Sequence, residues 1–155
     1  MPEQPGVEIE SGAAPPPSPA AVARTEQVLG VPLDKAYLAF LKQHNGGVPR
    51  QRYFPMGRNT KVVERFLCIA ERGAPAPAST YDVSAVWGLI RARLAPKQVP
   101  FAVLFPGDFL CFDYQPGPAP RVVWWVHEAS TPAEERTTTV APSFDAFLAM
   151  LKSET

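Results

Sequence analysis

The chain has 155 residues, a formal net charge of zero, 46% hydrophobic residues and 19% charged residues. This length suits one globular domain with a real core, and the neutral balance, with a pI near 6.7, excludes a strongly basic nucleic-acid-binding domain. No apolar run approaches the roughly 20 residues of a membrane helix, and the first residues lack the basic start and apolar centre of a signal peptide. We therefore predict a cytoplasmic protein with no membrane partner.

Residues 1–17 are rich in proline, glycine and alanine. We expect them to form a flexible leader, followed by a single domain over residues 18–155. Val7 and Ile9 alternate with glutamates, so a short edge strand within this leader remains an open alternative.

Two N-terminal helices are predicted next. The first begins at Ser18, where the following proline costs nothing at the first helical position, and it ends at Gly30. The second begins after Asp34 as its N-cap and stops at the Asn-Gly-Gly run before Pro49. The apolar face of this second helix consists of Tyr37, Phe40, Leu41 and His44.

The middle of the chain combines a strand with an inserted helix. Residues 48–59 show no clear period, whereas residues 61–69 read KVVERFLCI and predict a strand. Apolar residues at helical spacing predict a helix over residues 81–94, capped by Ser79 or Thr80.

The last third predicts a run of antiparallel strands. Residues 99–105 and 109–114 form a predicted hairpin around a Pro-Gly-Asp turn, and residues 121–127 form the next strand. Residues 130–139 are polar and predict a loop or a short edge strand, after which Ser143 caps a final helix. We predict an α+β fold with a mostly antiparallel sheet of about four to six strands, packed against the N-terminal helix pair, the inserted helix and the C-terminal helix.

Neither a metal site nor a catalytic set is visible in the sequence. The two cysteines lie in apolar runs as expected of free buried thiols, and cysteines and histidines form no close pairs of the kind that bind zinc. His127 and Glu128 are adjacent on a predicted strand and so point to opposite faces. Glu134 and Glu135 lie in a polar loop, where a solvated charge is the ordinary role. We predict no enzyme activity, no cofactor and no metal.

A basic stretch interleaved with aromatic residues is one candidate binding feature. It is open to three interpretations: a solvated face, a protein-binding surface, or a nucleic-acid footprint, which the neutral net charge disfavours. Its residues are Arg50, Arg52, Tyr53, Phe54, Arg58, Lys61, Arg65 and Arg72.

Trp124 and Trp125 are the second candidate feature. Alternation along a strand places the two indoles on opposite faces of the sheet, so one of them faces away from the helices unless a loop covers it. Structural burial and an exposed binding patch are both open for that ring.

The run GVPLDKAYLAFLKQHNGGVP, followed by GDFLCFDY, VVWWVHE and VAPSFDAFLAML, resembles the SUKH superfamily of Smi/Knr-type domains over residues 18–151. That group includes bacterial immunity proteins of polymorphic toxin systems and a fungal cell-wall regulator. The chain departs from the family pattern at Asp34, where proline is usual, and at Val126, where an acid is usual.

The resemblance implies a non-catalytic protein that neutralises a cognate toxin domain, a nuclease or a deaminase, by stoichiometric binding with electrostatic steering. The expected contact residues are Arg50, Arg52, Tyr53, Arg58, Trp124, Trp125 and Glu128. For a nuclease, we expect the acidic C-terminal half to meet the toxin through Asp108, Asp113, Glu128, Glu134 and Glu135. The alternatives are a regulatory scaffold or adaptor for another cytoplasmic protein, and a domain that binds a small ligand or nucleic acid through the basic stretch.

Overall fold

The computed structural model describes residues 6–105, 107–115, 117, 119–128 and 137–153. They form an α+β fold, as predicted, with a six-stranded antiparallel sheet and a separate two-stranded ribbon. The helices are α1 (Pro19–Leu29), α2 (Lys35–Gln43), α3 (Val83–Ile90), which continues as a 3-10 turn (Arg91–Arg93), and α4 (Phe144–Met150). The strands are β1 (Ile9–Ser11), β2 (Val48–Pro49), β3 (Tyr53–Met56), β4 (Asn59–Phe66), β5 (Gln98–Leu104), β6 (Phe109–Asp113), β7 (Arg121–Trp125) and β8 (Thr137–Ala141).

The large sheet is a meander in which each strand pairs with the one before it, in the order β3-β4-β5-β6-β7-β8. Antiparallel neighbours need only a short turn, and α3 is inserted in the longest connection of the sheet, between β4 and β5. The predicted hairpin of β5 and β6 and its continuation into β7 are confirmed, with Leu110 opposite Trp124 and Phe109 opposite Trp125. None of the helices in the described part is long and apolar enough to span a membrane.

Three helices begin where the sequence predicts. The side chains of Ser18, Asp34 and Ser143 each accept a hydrogen bond from the amide three residues later, at 3.1 Å, 3.3 Å and 3.1 Å. Gly30 ends α1 with a φ of 75°, a left-handed conformation that glycine adopts without strain. These helix ends are local, because each depends on residues within one turn.

The inserted helix α3 is shorter than predicted and has a different cap. Its N-cap is Asp82 rather than Ser79 or Thr80, because the Asp82 carboxylate accepts hydrogen bonds from the amides of Ala85 at 3.1 Å and Ala70 at 2.9 Å. The second of these bonds ties the helix start to the segment after β4. The last predicted turn of the helix is 3-10 rather than α-helical.

Two edge strands lie in segments whose sequence shows no clear strand pattern. β3 falls within residues 48–59, where Pro55 interrupts the pattern, and an edge strand tolerates proline because one of its sides has no strand partner. β8 ends the polar stretch 130–139, for which a short edge strand was one of two predictions, and residues 129–136 lie outside the described part.

Aromatic rings fill the space between α2, α4 and one face of the sheet. The Phe101 and Phe112 rings stack with centroids 4.3 Å apart, and Tyr37 of α2 and Phe144 of α4 contact Phe112 at 4.9 Å and 5.5 Å. The predicted apolar face of α2 is buried in this core except for His44, which is half-buried at the helix end. This cluster is the main core.

The described part of the proline-rich leader packs against the domain, in contrast to the leader that its composition predicts. β1 pairs with β2, which confirms the alternative of a short edge strand, and Val7 is buried. The Ala14 amide donates to the Asn45 carbonyl at 2.9 Å. The Asn45 side chain also donates to the carbonyls of Pro15 and Ile69, so one amide joins the leader to the segment after β4.

Candidate protein-binding surface

The two neighbouring tryptophans of β7 lie on opposite faces of the sheet, as the alternation predicts. Trp125 packs with Cys111 and Val123 and is only 1% exposed. The end of α3 and the residues after it cover this face, with the Arg93 guanidinium 5.0 Å from the Trp125 ring centre. Trp125 is therefore a core residue that a partner does not reach in this conformation.

Trp124 lies on the face that carries the main core, yet it is only partly buried. Its indole Nε1 donates a hydrogen bond to Asp108 Oδ2 at 2.9 Å, and Lys61 Nζ lies 4.2 Å from the ring centre. The negative face of an indole attracts a cation in this position. The ring is thus held in one orientation while part of it stays accessible.

Asp108, in the turn between β5 and β6, accepts hydrogen bonds that connect this turn to the end of β7. Its Oδ1 accepts a hydrogen bond from the His127 amide at 3.0 Å and lies 2.9 Å from His127 Nδ1. Burial raises the pKa of the Asp108 carboxyl, but the hydrogen bonds from His127 and Trp124 outweigh it and hold the pKa below its ordinary 3.8. The ionised carboxylate joins the turn to the end of β7.

Phe105 is an exposed apolar residue of the same turn. It is 61% exposed, and its amide donates to the Val62 carbonyl at 3.0 Å, beside Lys61. Gly107 gives the turn a φ of 137°, which L side chains rarely adopt. We define the Trp124 surface by its residues: Lys61, Phe105, Asp108, Trp124 and His127.

Asp113, an expected contact residue, is instead buried, with no exposed side-chain area. Its Oδ2 accepts hydrogen bonds from Arg121 Nε at 3.0 Å and Nη2 at 2.7 Å, and its Oδ1 accepts one from the Gln115 amide at 3.0 Å. A buried carboxylate needs such partners because desolvation is costly. Asp113 and Trp125 both leave the set of expected contacts, because neither side chain reaches the surface.

Among the described residues, the acidic side chains expected to meet a nuclease do not form one exposed surface. Asp108 and Asp113 are engaged in internal hydrogen bonds, while Glu128 is exposed just after β7. Glu134 and Glu135 lie outside the described residues. A role for Glu128 towards a nuclease stays a prediction.

The basic stretch divides among several places. Arg50 and Arg52 form ion pairs with Glu8 and Glu10 of the N-terminal segment, with N–O distances of 3.6 Å and 3.0 Å. Lys61 belongs to the Trp124 surface instead. The acidic start of the chain therefore neutralises part of the basic stretch, which no local pattern indicated.

Tyr53 and Arg58, the remaining expected contacts, lie on β3 and in the turn that follows it. Tyr53 is half-buried, and its backbone exchanges two hydrogen bonds with Lys152, at 3.0 Å and 2.8 Å, across the edge of the sheet. Arg58 is exposed between β3 and β4. Of the two, Arg58 lies nearer in the chain to Lys61 and the Trp124 surface.

Phe105, Lys61 and His127 are missing from the contacts expected from the sequence. Phe105 ends an apolar run and looks like a core strand residue, but it directly precedes Pro-Gly-Asp. Its position next to a tight turn could have indicated its exposure, because a strand residue at a turn is less covered by neighbouring elements than one in the middle of the strand. Lys61 is one cation among many, and nothing near it in the sequence points to Trp124.

Thiol or metal chemistry has no support at the described residues. Cys68 and Cys111 are free and buried. Burial raises the pKa of Cys68 to about 11 and raises the pKa of Cys111 further, so neither thiol is ionised at neutral pH. No group of three or more His, Cys, Asp or Glu within the described ranges could hold a metal ion.

A cleft of about 410 Å³ lies between the N-terminal segment and the loop after β4. Alanine and proline form most of its walls, and Glu71 is the charged residue among those described as lining it. Hydrogen bonds from the Ser18 amide and hydroxyl, at 3.0 Å and 2.8 Å, lower the pKa of Glu71. These described walls offer no converging polar groups to orient a small ligand.

Comparison with protein-family models matches residues 16–150 to the SMI1 / KNR4 family (SUKH-1). The match spans α1 to α4 and the whole large sheet, and so it includes the Trp124 surface. No curated protein sequence matches the chain.

Proposed function

The chain belongs to the SMI1 / KNR4 family (SUKH-1), and from this membership we propose that it is an immunity protein that neutralises a cognate toxin by stoichiometric binding. The family is known for immunity-type domains that are generally non-catalytic. The toxin would be a nuclease or deaminase domain, blocked at its active site or locked in an inactive conformation. The Trp124 surface is the part of the chain that we assign to this contact.

One observation carries the assignment: the half-buried Trp124 ring is hydrogen-bonded to Asp108, whose turn also carries the exposed Phe105. Aromatic side chains dominate the energy of protein interfaces, and a ring held in place before binding loses little conformational entropy. Lys61 and Asp108 hold the Trp124 ring from its face and its edge. The surface is therefore preorganised, as a tight inhibitor requires.

The charged residues around this centre have a secondary role. Arg58 and Glu128 are exposed, three residues before Lys61 and one residue after His127 in the chain, and would set the association rate and the orientation of the partner. Asp108 acts as a positioning residue, because its carboxylate contacts Trp124 and His127 rather than the solvent side of the surface. Arg50 and Arg52 are engaged by glutamates and are not part of this contact.

A pull-down tests the proposal. The tagged chain is expressed in its own cells together with the neighbouring open reading frames, and mass spectrometry identifies what stays bound. We expect a single toxin domain, whose activity falls to zero at one equivalent of the chain. Recovery of housekeeping proteins alone would contradict the immunity role and favour a regulatory adaptor.

Variants of the captured complex then test the surface. Phe105→Ala and Trp124→Ala should each weaken toxin binding by about tenfold or more, since interface aromatics are typical hot spots. Leu89→Ala is the matched control, because Leu89 is an apolar residue of α3 that is 84% exposed. Equal affinities of all three variants and the native chain would move the contact away from the Trp124 surface.

A further inference from the structure

The N-terminal segment lies on β2 in a way that resembles a bound peptide. β1 pairs antiparallel with β2, with Ile9 opposite Pro49. The Arg50 amide donates to the Glu8 carbonyl at 2.8 Å, and the Glu8 amide donates to Gln51 Oε1 at 2.8 Å. Arg50 and Gln51 thus bind the backbone of the segment, which we call the strap (residues 7–11).

Residues 50–52 also bind the acidic side chains of the strap. Arg52 Nη2 lies 3.0 Å from Glu10 Oε2, and Arg50 Nη1 lies 3.6 Å from Glu8 Oε2. Gln51 Nε2 donates to Glu8 Oε1 at 3.2 Å. The two acidic residues of the segment, which occupy alternate positions, are therefore each matched by a cation.

The apolar positions of the strap face the opposite way, into the domain. Val7 is buried and Ile9 is half-buried against the main core. Gly47 allows this approach, because a Cβ at its position would lie 2.6 Å from Ile9 Cγ2 and 2.7 Å from the Ser11 carbonyl oxygen. The groove therefore accepts apolar residues at one set of alternate positions and acids at the other.

A third arginine borders the far end of the strap. The Arg65 guanidinium stands next to Gly12, where a Cβ would meet Nη2 at 2.7 Å, and it lies 4.3 Å from the Tyr81 ring centre. Arg50, Arg52 and Arg65 thus form a line of positive charge along one strap.

We propose that β2 with residues 50–52 is a second recognition site, for an extended segment of another protein in which apolar and acidic residues alternate. The strap occupies this site in cis. It is held by a three-residue strand and by two ion pairs in contact with solvent, with side-chain exposures of 60% and 65% for Arg50 and Glu8 and of 31% and 48% for Arg52 and Glu10. Such a segment opens locally without unfolding of the domain, and a partner with the same alternation takes its place.

This site goes beyond the proposed toxin contact, because none of its residues belongs to the Trp124 surface. The groove runs beside β4 from Gly47, which exchanges hydrogen bonds with Phe66, to Arg52, whose carbonyl accepts a hydrogen bond from the Val63 amide at 2.8 Å. The two sites therefore approach each other along β4 but share no residue. An experiment can therefore show that toxin binding fails while replacement of the strap by a partner segment still occurs, or the reverse.

Hydrogen exchange on the native full-length chain is the first test. The Arg50 amide bonds to the strap, and the Phe66 amide bonds to the Gly47 carbonyl at 2.9 Å within the domain. We expect the Arg50 amide to exchange about tenfold faster or more, since the strap opens alone. Equal exchange rates for the two amides would show that the strap leaves only on global unfolding, and would overturn the proposal.

Peptide binding is the second test and uses the peptide GVEIESGA, the sequence of residues 6–13. The full-length variant Glu8→Lys/Glu10→Lys repels its own strap, so it should bind this peptide about tenfold more tightly or better than the native chain, whose strap competes in cis. The peptide GVKIKSGA is the matched control and should not bind. Adding Arg52→Glu should remove binding of the acidic peptide.

The affinity of the acidic peptide should also fall with salt, because its ion pairs are exposed. A folded Glu8→Lys/Glu10→Lys variant that binds the acidic peptide no better than the native chain does would overturn the proposal. Equal binding of the acidic and lysine peptides would do the same, since it would remove the charge recognition. The near-ultraviolet spectrum of the tryptophans confirms that the variant is folded.

Discussion

The two faces of the sheet at the end of β7 differ in what lies over them. On the Trp125 face, the residues after α3 exclude water from a small apolar cluster, and the buried Asp113 is neutralised by Arg121. On the Trp124 face, the main core ends in a polar network that stays open to solvent. Two adjacent tryptophans therefore have opposite roles. The residues packed over each ring, rather than the residue type, decide whether the ring stabilises the fold or remains accessible to a partner.

The largest expected effect comes from removing the covered ring. Trp125→Ala should lower the free energy of unfolding by about 3 to 5 kcal/mol, because it empties a fully packed site. Trp124→Ala, the matched control on the open face, should cost only about 1 kcal/mol. Urea denaturation measures both, and similar losses for the two variants would break the comparison between the faces.

The buried ion pair on the Trp125 face ranks second. Arg121→Ala leaves the Asp113 carboxylate buried without its cation and should cost about 2 to 3 kcal/mol, less than for a fully buried pair because the Arg121 side chain is 40% exposed. The matched control is Arg52→Ala, which removes the exposed ion pair with Glu10 and should cost between zero and about 1 kcal/mol. If urea denaturation gave equal losses of unfolding free energy for the two variants, the burial of Asp113 would not add to the cost of removing its cation.

On the Trp124 face, the expected effect of Asp108→Asn is smaller and depends on pH. The variant should lose about 1 kcal/mol at neutral pH, because charge-assisted hydrogen bonds to His127 and Trp124 weaken. The folded-state pKa of Asp108 lies below its ordinary 3.8, so its contribution is fully present above that value and is lost as the pH falls through the folded-state pKa.

Thermal denaturation of both chains between neutral and acidic pH measures this dependence. The difference in stability between the native chain and Asp108→Asn should shrink as the pH falls below about 4. A difference that instead grew below about pH 4 would show that the carboxylate is destabilised by the fold. Asp145→Asn, on the exposed first turn of α4, controls for the loss of one negative charge.

Lys61→Ala should have the smallest effect on stability, at most about 0.5 kcal/mol, because a cation over a partly exposed ring gains little in water. Its affinity for the captured toxin should nevertheless fall severalfold, since Lys61 lies against Trp124 within the contact. Urea denaturation and a binding titration on the same variant separate the two effects. A large loss of stability with unchanged affinity would place Lys61 in the fold rather than in the contact.

The sequence predicts those parts of the fold that depend on near neighbours. The caps Ser18, Asp34 and Ser143 and the turn between β5 and β6 each involve residues a few positions apart, so local rules suffice. The cap of α3 was mispredicted because Ser79, Thr80 and Asp82 all suit the role, and the bond that selects Asp82 comes from the distant Ala70 amide.

The candidate sites were harder to predict, because they are built from distant parts of the chain. The sequence names Trp124 as a candidate contact, but it hides Phe105 in an apolar run, and it predicts Asp108 as an acidic contact rather than as a hydrogen-bond acceptor for Trp124. Trp125 and Asp113 are among the contacts expected from the sequence, since nothing in the sequence shows that the residues after α3 and Arg121 cover or neutralise them.

By itself, the sequence determined the order and type of most elements and the opposite directions of Trp124 and Trp125, because helical and strand periods are local geometry. Only the tertiary structure decided which of the two rings is covered, because that depends on where α3 and the residues after it lie. It also decided which charges meet: Glu10 and Arg52 are 42 positions apart and pair only because β1 lies on β2. The sequence pattern determines which way a side chain points from its own helix or strand. Which residues it contacts depends on how several elements pack together.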